Sequence, residues 1–514
     1  MNAPKVSVVV PVFNAETHLD RLVESLLRQS LPAGDFEAVF VDDGSTDGTA
    51  ARLDALAATH PHLHVLHIPN SGWPSRPRNL GMAQARGEYV FFADDDDWFA
   101  DEALERLYGY ARANDADIAV GKMAGHGRNV ARELFRTDQP DATLENTPLI
   151  DSLTCHKLFR SGFLAEHDLR FPEGGRRRLE DHAFVTRAYL LSKRTSVLAH
   201  YTCYHHVRRR DGGGVTATRL VPADYFARLR ETLDIVDAHV GPGPLRDRLH
   251  RRWLRNEMVN RLRGKRLLDA PSEWLDQVAA EVRAIIRDRF APGVAAGLPP
   301  LPRIVAELAG QGRVADLRRL AEWEVGVRAR ARLRGYDLTG STLTVSVAAH
   351  LRSGRDPIVD AGRDGRDRLV LPVDGLDPEL LDVTGALAQA RLDLVARRQE
   401  TGDEVALPVA VEARRVTDTA GATHVVHRGS VAVDFAALNS GRTEGAWTLR
   451  ARIQHSGWTQ DARLPLRVFC PADGAAPQVT DQRPDEEPGR WVRVRAAVRR
   501  LLRPATGRPG STDR

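Results

Sequence analysis

The sequence predicts an α/β protein: a doubly wound, mostly parallel sheet, then a helical region, then a C-terminal β-sandwich. Three observations predict it. Continuous apolar, β-branched runs alternate with helical stripes through the N-terminal part of the chain. From Pro222 to about Glu322 apolar residues recur at helical spacing, and from Trp323 onward the period falls to two. Strand–helix alternation implies a parallel sheet with crossovers, and a period of two implies half-buried strands.

Val6 to Val12 reads as a strand buried on both faces. Asn14 is placed to cap the helix that follows, whose Leu19, Leu22, Val23, Leu26 and Leu27 form the stripe of a helix covering a sheet. Phe36 to Val41 is the second strand and ends in Asp42-Asp43-Gly44-Ser45-Thr46-Asp47. Another helix leads to the short strand Leu63 to Ile68. Tyr89 to Ala93 is a further buried strand, running straight into Asp94-Asp95-Asp96-Asp97-Trp98. A helix through Leu104 and Leu107 and a strand at Asp117 to Val120 follow, and Gly121 to Thr147 reads as an irregular loop region near an acceptor. Val197 to Val207 is a late strand. Helices are expected over 225–240, 249–268, 274–290 and 304–322. In the last third, Leu343, Val345 and Val347 alternate with polar residues, as do Leu392, Leu394 and Ala396, and Trp447, Leu449, Ala451 and Ile453. Glu400-Thr-Gly-Asp403 reads as a hairpin turn. The expected units are residues 1–219, a helical unit 220–322, an Ig-like β-sandwich 323–470, and a disordered linker with a basic tail 471–514.

Composition narrows the function. A chain of 514 residues exceeds a single core. Its net charge of +4 comes with arginines spread along the chain, so nothing calls for nucleic acid. Cys155, Cys203 and Cys470 lack zinc-ligand spacing and suit a reducing cytoplasm. Met1 to Lys5 leads directly into a strand without a signal-peptide core, and no run of about 20 apolar residues suggests a transmembrane helix.

Four adjacent carboxylates at a strand end repel one another. A hard divalent cation neutralises them and shares its shell with substrate phosphates. Alone, the stretch reads equally well as a solvated acidic turn before a helix. Asp42-Asp43 at the end of a neighbouring strand puts a second acidic cluster on the same edge, which solvated turns explain poorly. Trp98 and Tyr89 read mainly as core aromatics, and Asp43 and Asp47 as turn and helix-start residues.

Val6-Ser-Val-Val-Val-Pro-Val-Phe-Asn14, Val41-Asp-Asp-Gly-Ser-Thr-Asp47, Arg78-Asn-Leu-Gly81 and Phe92-Ala-Asp-Asp-Asp-Asp-Trp98 resemble, in order and spacing, the family 2 glycosyltransferases. The resemblance covers roughly residues 5–215 and implies a GT-A fold, an inverting reaction, a UDP-sugar donor and a Mn²⁺ or Mg²⁺ cofactor. It implies that Pro11 and Phe13 border the base and that Asp42 meets the uracil. Asn70 and Arg78 would lie beside the nucleotide, and Asp94 and Asp96 would form the Asp-x-Asp pair. Asp96 is then the expected metal ligand, and Asp94 the partner of ribose or metal. Leu179-Glu-Asp-His-Ala-Phe184 is similar to the branch of the family acting on cell-surface polymers. That similarity makes Asp181 the expected base, with Glu180 orienting the acceptor or a basic neighbour; the residues alone read as a helix start. His206 and Arg208 are candidates to meet the diphosphate, from the basic, glycine-rich segment Arg208 to Gly214. A mobile arginine-rich loop without a ligand is the other reading.

The domain order resembles the poly(ribitol-phosphate) glycosyltransferases that decorate wall teichoic acid. The expected acceptor is therefore a hydroxyl of a cell-envelope polymer or lipid-linked glycan. Two alternatives remain: a sugar nucleotidyltransferase, which lacks its glycine-rich loop here, and an inactive carbohydrate-binding protein. The β-sandwich is a candidate homo-oligomer surface. Residues 490–503, a basic amphipathic pattern with Trp491, are a candidate for peripheral contact with the inner face of the plasma membrane.

Overall fold

The structure, a computed structural model, describes residues 3–208, 219–354, 356–361, 364–417, 423–441 and 443–483. The first unit carries strands β1 (Val6–Val12), β2 (Phe36–Asp42), β3 (Leu63–His67), β4 (Tyr89–Phe92), β5 (Trp98–Phe99), β6 (Ile118–His126), β7 (Gln139–Ala142), β8 (Leu158–Arg160) and β9 (Thr195–Val207). Its helices are α1 (Leu19–Leu27), α2 (Thr49–Thr59), α3 (Ser75–Gln84), α4 (Ala103–Ala113), α5 (Ser161–Glu166) and α6 (Glu180–Leu191). The sheet order is β3-β2-β1-β4-β8-β6-β9-β5, with β7 on β9. Pairings β1–β2, β2–β3, β1–β4 and β6–β9 are parallel, and β8, β5 and β7 enter antiparallel. This is the GT-A arrangement. The chain leaves β3 at one edge and re-enters beside β1 as β4, so the crevice opens at the carboxyl ends of β1, β2 and β4.

The β-branched runs form strands because both faces are covered: every residue of β2 and all but Pro11 of β1 are buried. Three local expectations are corrected. Asn14 does not cap α1, whose capping position is His18; Asn14 instead takes a left-handed φ of 49° and its Oδ1 accepts from Thr46 N–H. Residues 121–147 are not a loop throughout, because β6 runs on to His126 and β7 follows. Lys122 and two glycines obscured that strand. Helix 304–322 is two helices, Pro300–Gly310 and Val314–Glu324, broken where Gly312 adopts φ +72°.

Helices continue from Pro222–His239 to Val314–Glu324. Within 249–268 the helix loosens into a π-turn at Leu254–Met258. The final unit is antiparallel and two-layered. Its strand path is Val327–Thr339, Thr342–Ser353, Thr423–Asp434, Glu404–Thr417, Arg391–Arg398, Gly445–His455, Trp458–Cys470, Gln478–Asp481. Strand Glu404–Thr417 belongs to both layers: residues 404–409 pair with Arg391–Arg398, and residues 410–417 pair with Thr423–Asp434. The alternating residues turn inward as expected, with Leu343, Val345, Leu394, Trp447, Leu449, Ala451 and Ile453 fully buried. Gln478–Asp481 corrects the expectation of disorder from residue 471 onward, as far as the described residues reach at 483. An edge strand needs little apolar surface, and Val479 alone packs on the core. The expected membrane-contact segment 490–503 lies outside the described residues, as do residues 209–214 of the glycine-rich segment.

Gly81 sets the distance of α3 from the sheet. A Cβ there would lie 2.5 Å from Val9 Cγ1 and 3.1 Å from Val41 Cγ2. Gly109, on α4, has open space around it. Gly81→Ala should therefore lower stability by about 1–3 kcal/mol through overpacking. Gly109→Ala should raise stability by about 0.5–1 kcal/mol through helix propensity. Urea unfolding of the two variants checks both signs.

Candidate active site

Arg78 stands at the centre of the crevice. Close packing at Gly81 brings α3 down on β1, and Arg78 sits one turn earlier, 3% exposed. Its Nη2 donates to Asp94 Oδ1 at 2.8 Å, and its Nη1 to Asp181 Oδ1 at 2.9 Å and Glu180 Oε1 at 3.3 Å. One guanidinium thus joins the end of β4 to the start of α6. Burial opposes its charge, yet the surrounding acidic groups hold it protonated more firmly than usual. Its neighbour Asn79 fixes the segment before α6. Asn79 Nδ2 donates to the Phe171 carbonyl at 2.8 Å, and Phe171 N–H donates back to Oδ1 at 2.9 Å. Leu179 then takes a left-handed φ of 65°, a strained conformation for a branched residue, and turns Glu180 and Asp181 into the crevice. The carboxyl of Glu180 is pushed up to about 7 by burial and by the Asp181 charge.

Beside Arg78 lies a second group. One ligating atom from each of Asp94, Asp97, His156 and His206 falls within 4.8 Å of the others. His156 Nδ1 lies 3.1 Å from the Phe92 carbonyl, so it carries the proton and donates. Nε2 then faces Asp94 at 3.5 Å and Asp97 at 3.9 Å. A backbone carbonyl fixing one imidazole nitrogen is the usual support for a metal-ligating histidine. Asp97 Oδ1 accepts from Val207 N–H at 2.7 Å, while Asp97 Oδ2 and His206 Nδ1 are buried without a hydrogen-bond partner. Burial opposes the charge of Asp94, but His156 and Arg78 more than offset it and hold its carboxyl well below the usual range. Burial and the charges of Asp94 and Asp96 drive Asp97 well above it. Burial, then His156 and Arg128, drives His206 well below its ordinary value. Orphaned acceptors around converging carboxylates fit a divalent cation. The mixed oxygen and imidazole donors suit Mn²⁺ better than Mg²⁺.

Residues 7–165 match the family model Glycosyl transferase family 2, and residues 222–321 match the Glycosyl transferase TarS linker domain. Residues 7–165 are thus a glycosyl transferase family 2 domain. The chain is 34% identical over 236 residues to a poly(ribitol-phosphate) beta-glucosyltransferase of Bacillus spizizenii, covering 46% of this chain and 37% of that protein. It is 32% identical over 293 residues to the poly(ribitol-phosphate) beta-N-acetylglucosaminyltransferase TarS of Staphylococcus aureus, covering 55% and 50%. The chain thus spans half or less of these relatives' lengths. The crystal structure of S. aureus TarS 1–349 in complex with UDP-GlcNAc superposes with a TM-score of 0.55 at 27% identity, over 66% of this chain and 96% of that one.

Within the N-terminal unit the sequence-expected residues are placed unequally. Arg78, Asp94, Glu180 and Asp181 are brought together, and His206 joins Asp94 from β9. Phe13 is 46% exposed at the end of β1, next to the partly exposed Pro11. Asn70 is exposed and donates to the Asp43 carbonyl at 2.8 Å. Asp42 does not open into the crevice. It is 2% exposed, with Oδ1 accepting from Ser45 N–H at 3.1 Å and Oδ2 2.9 Å from His67 Nδ1. Asp96 is not part of the four-residue group; it sits partly exposed, its carboxyl pushed up to about 7 by burial and by Asp94 and Asp95. Arg208 is exposed at the end of β9, its N–H donating to the His126 carbonyl at 2.9 Å. Sequence reasoning missed Asp97, His156 and Asn79. Asn79 stood inside the motif Arg78-Asn-Leu-Gly81 and His156 inside Cys155-His-Lys-Leu-Phe-Arg160, but neither carried a spacing signal of its own.

The raised carboxyls give a signed pH dependence. Asp96 and Glu180 titrate near 7 in the folded protein, against ordinary values of 3.8 and 4.5. Their contribution is fully present below the unfolded values and is lost as pH rises through about 7. Metal-free protein should therefore show a falling unfolding temperature between about pH 4.5 and 7 from these groups. Added Mn²⁺ should oppose that fall, with a stabilising shift that grows with pH, because ligands bind as carboxylates. Thermal scans with and without Mn²⁺ across this range check the slope.

Proposed function

We propose that the protein is an inverting, metal-dependent glycosyltransferase. It moves a sugar from a UDP-sugar to a hydroxyl of a polyol-phosphate polymer of the cell envelope, as the named poly(ribitol-phosphate) transferases act on theirs. One observation carries the reading: the Arg78 guanidinium bonds both Asp94, at the end of β4, and Asp181, at the start of α6. A donor-side carboxylate and a candidate base are thereby held on opposite sides of one crevice.

In this reading Pro11 and Phe13 flank the base of the nucleotide, and Asn70 borders it. Asp42 acts at one remove, by fixing the turn at Ser45. Asp94, with Asp97, His156 and His206 on the buried side and Asp96 on the open side, would hold Mn²⁺ or Mg²⁺. The bound cation would supply Lewis-acid neutralisation of the diphosphate leaving group. Arg208 reaches toward the same phosphates. Asp181 takes the proton of the acceptor hydroxyl as that oxygen bonds the anomeric carbon and the bond to UDP breaks. Its place in the first turn of α6 favours the ionised form, and Arg78 fixes its direction. Glu180, titrating near 7, orients the acceptor.

The matching linker domain and the poly(ribitol-phosphate) relatives support a polymer acceptor. No helix among the described residues is long and apolar enough to cross a membrane. We place the enzyme in the cytoplasm, with peripheral membrane contact through 490–503 and self-association through the β-unit as parts of the same proposal.

Asp181→Asn should lower kcat by roughly 10²–10⁴-fold while leaving UDP affinity near that of the wild type. Calorimetry with UDP and Mn²⁺, paired with a UDP-release assay on poly(ribitol phosphate), reads both. Lost UDP affinity with preserved kcat would move Asp181 to the donor side. Asp96→Asn and EDTA treatment should each depress turnover; full activity under both would remove the cation from the mechanism.

A further inference from the structure

The hairpin joining Arg391–Arg398 to Glu404–Thr417 does not end in solvent. Its tip residue Gly402 has φ +78°, and a Cβ there would lie 3.1 Å from His126 Cε1. The tip therefore rests on the His126 imidazole, and a side chain at 402 would both strain the backbone and push on that ring. His126 Nε2 lies 3.0 Å from His205 Nδ1, so the two rings, on the paired strands β6 and β9, share one hydrogen bond. His205 stacks on Trp98, with ring centroids 4.8 Å apart and planes 7° from parallel. The Arg21 guanidinium lies 4.6 Å from the centroid of the same indole. Trp98 also pairs with His205 along the backbone, in the two-residue strand β5.

Each end of this stack adjoins the cation group. Trp98 follows Asp97 directly, and His205 precedes His206. Successive strand residues point to opposite faces. His206 thus turns toward Asp94 and His156, while His205 turns toward the hairpin. The backbone between them is tied again where Val207 N–H donates to Asp97 Oδ1 at 2.7 Å. Ion pairs Arg136–Asp393 at 3.0 Å and Arg132–Glu404 at 3.3 Å hold the hairpin's strands to the first unit.

We propose that Gly402, His126 and His205 are positioning residues of the donor site: the β-unit's hairpin presses on His126, and the His126–His205–Trp98 stack sets Asp97 and His206. The C-terminal unit then takes part in cation binding without offering a ligand. The inference rests on the cation reading above.

The test uses the full chain with His126→Ala, His126→Gln and Gly402→Val. Mn²⁺ affinity is measured by calorimetry without donor. Trp98 emission is taken as the difference from Trp98→Phe protein, and unfolding temperature is recorded alongside. His126→Ala and Gly402→Val should weaken Mn²⁺ binding about 10-fold or more, the lower end for lost support of a metal ligand. Both should change the Trp98 emission. Gln keeps a polar group within reach of His205, so His126→Gln should restore most of the affinity. Wild-type affinity and unchanged Trp98 emission in both disruptive variants overturn the proposal. So does a loss in which Gln is no better than Ala and affinity falls only in step with unfolding temperature, because that marks general packing. If the wild type binds no Mn²⁺, the cation reading fails separately. UDP affinity and Trp98 emission in the variants then decide the hairpin's role.

Discussion

The crevice depends on one buried cation shared by three carboxylates. Arg78 has too many acidic neighbours to be a simple ion pair and too little exposure to be screened by water. Removing one partner from such a buried arrangement costs about 3–5 kcal/mol, because the charges left behind stay desolvated. The planar fork also carries direction: one nitrogen faces β4 and the other faces α6. Lysine would offer charge without that geometry. The motif Arg78-Asn-Leu-Gly81 then has a physical explanation for three of its four residues. Arginine joins the two sides, asparagine holds the segment leading to α6, and glycine lets the helix come close enough for both.

Much of the first unit was legible because its strands are buried on both faces. Val6–Val12 and Phe36–Asp42 announce themselves as unbroken apolar runs. The β-unit was legible for the opposite reason, since each strand has one dry face. What escaped detection was either weakly patterned or assembled at long range. β6 carries glycines and a lysine, and Gln478–Asp481 is a short edge. Glycine at 312 breaks a helical stripe that otherwise runs on. The cation group draws on the β4–β5 connection, the entry to β8 and the end of β9. No local period can signal a meeting of segments so far apart, so Asp97 and His156 were visible only as letters inside motifs. Asp42 shows the converse: a motif residue whose carboxylate the fold turns inward.

The helical unit is tied to α6 as firmly as the sheet is. His182 follows Asp181 and packs, partly buried, against Arg252, whose Nη atoms lie 3.3 and 3.5 Å from its two ring nitrogens. Arg252 in turn bonds Glu257 at 2.9 Å, inside the π-turn, and Arg261 reaches the same carboxylate at 3.1 Å. Burial and the Arg252 charge hold His182 down at about 3, so it stays neutral in this network. The widened turn brings Glu257 beneath the helix that carries the candidate base. Rigid support of this kind limits how far a carboxylate can drift from reacting distance.

The first strand of the β-unit, Val327–Thr339, hydrogen-bonds along one side only, to Thr342–Ser353, while its other side lies near Trp458–Cys470 without pairing to it. Its Arg328, Arg330, Arg332 and Arg334 are exposed and alternate with partly or fully buried Ala329, Ala331 and Leu333. An open strand edge is normally a template for pairing with another chain. Here a second copy laid alongside would bring two rows of guanidinium groups together. Charge therefore opposes lengthening of the sheet at this edge, and the arginine row guards backbone groups that no strand of the fold pairs, so any self-association of the β-unit would use another face.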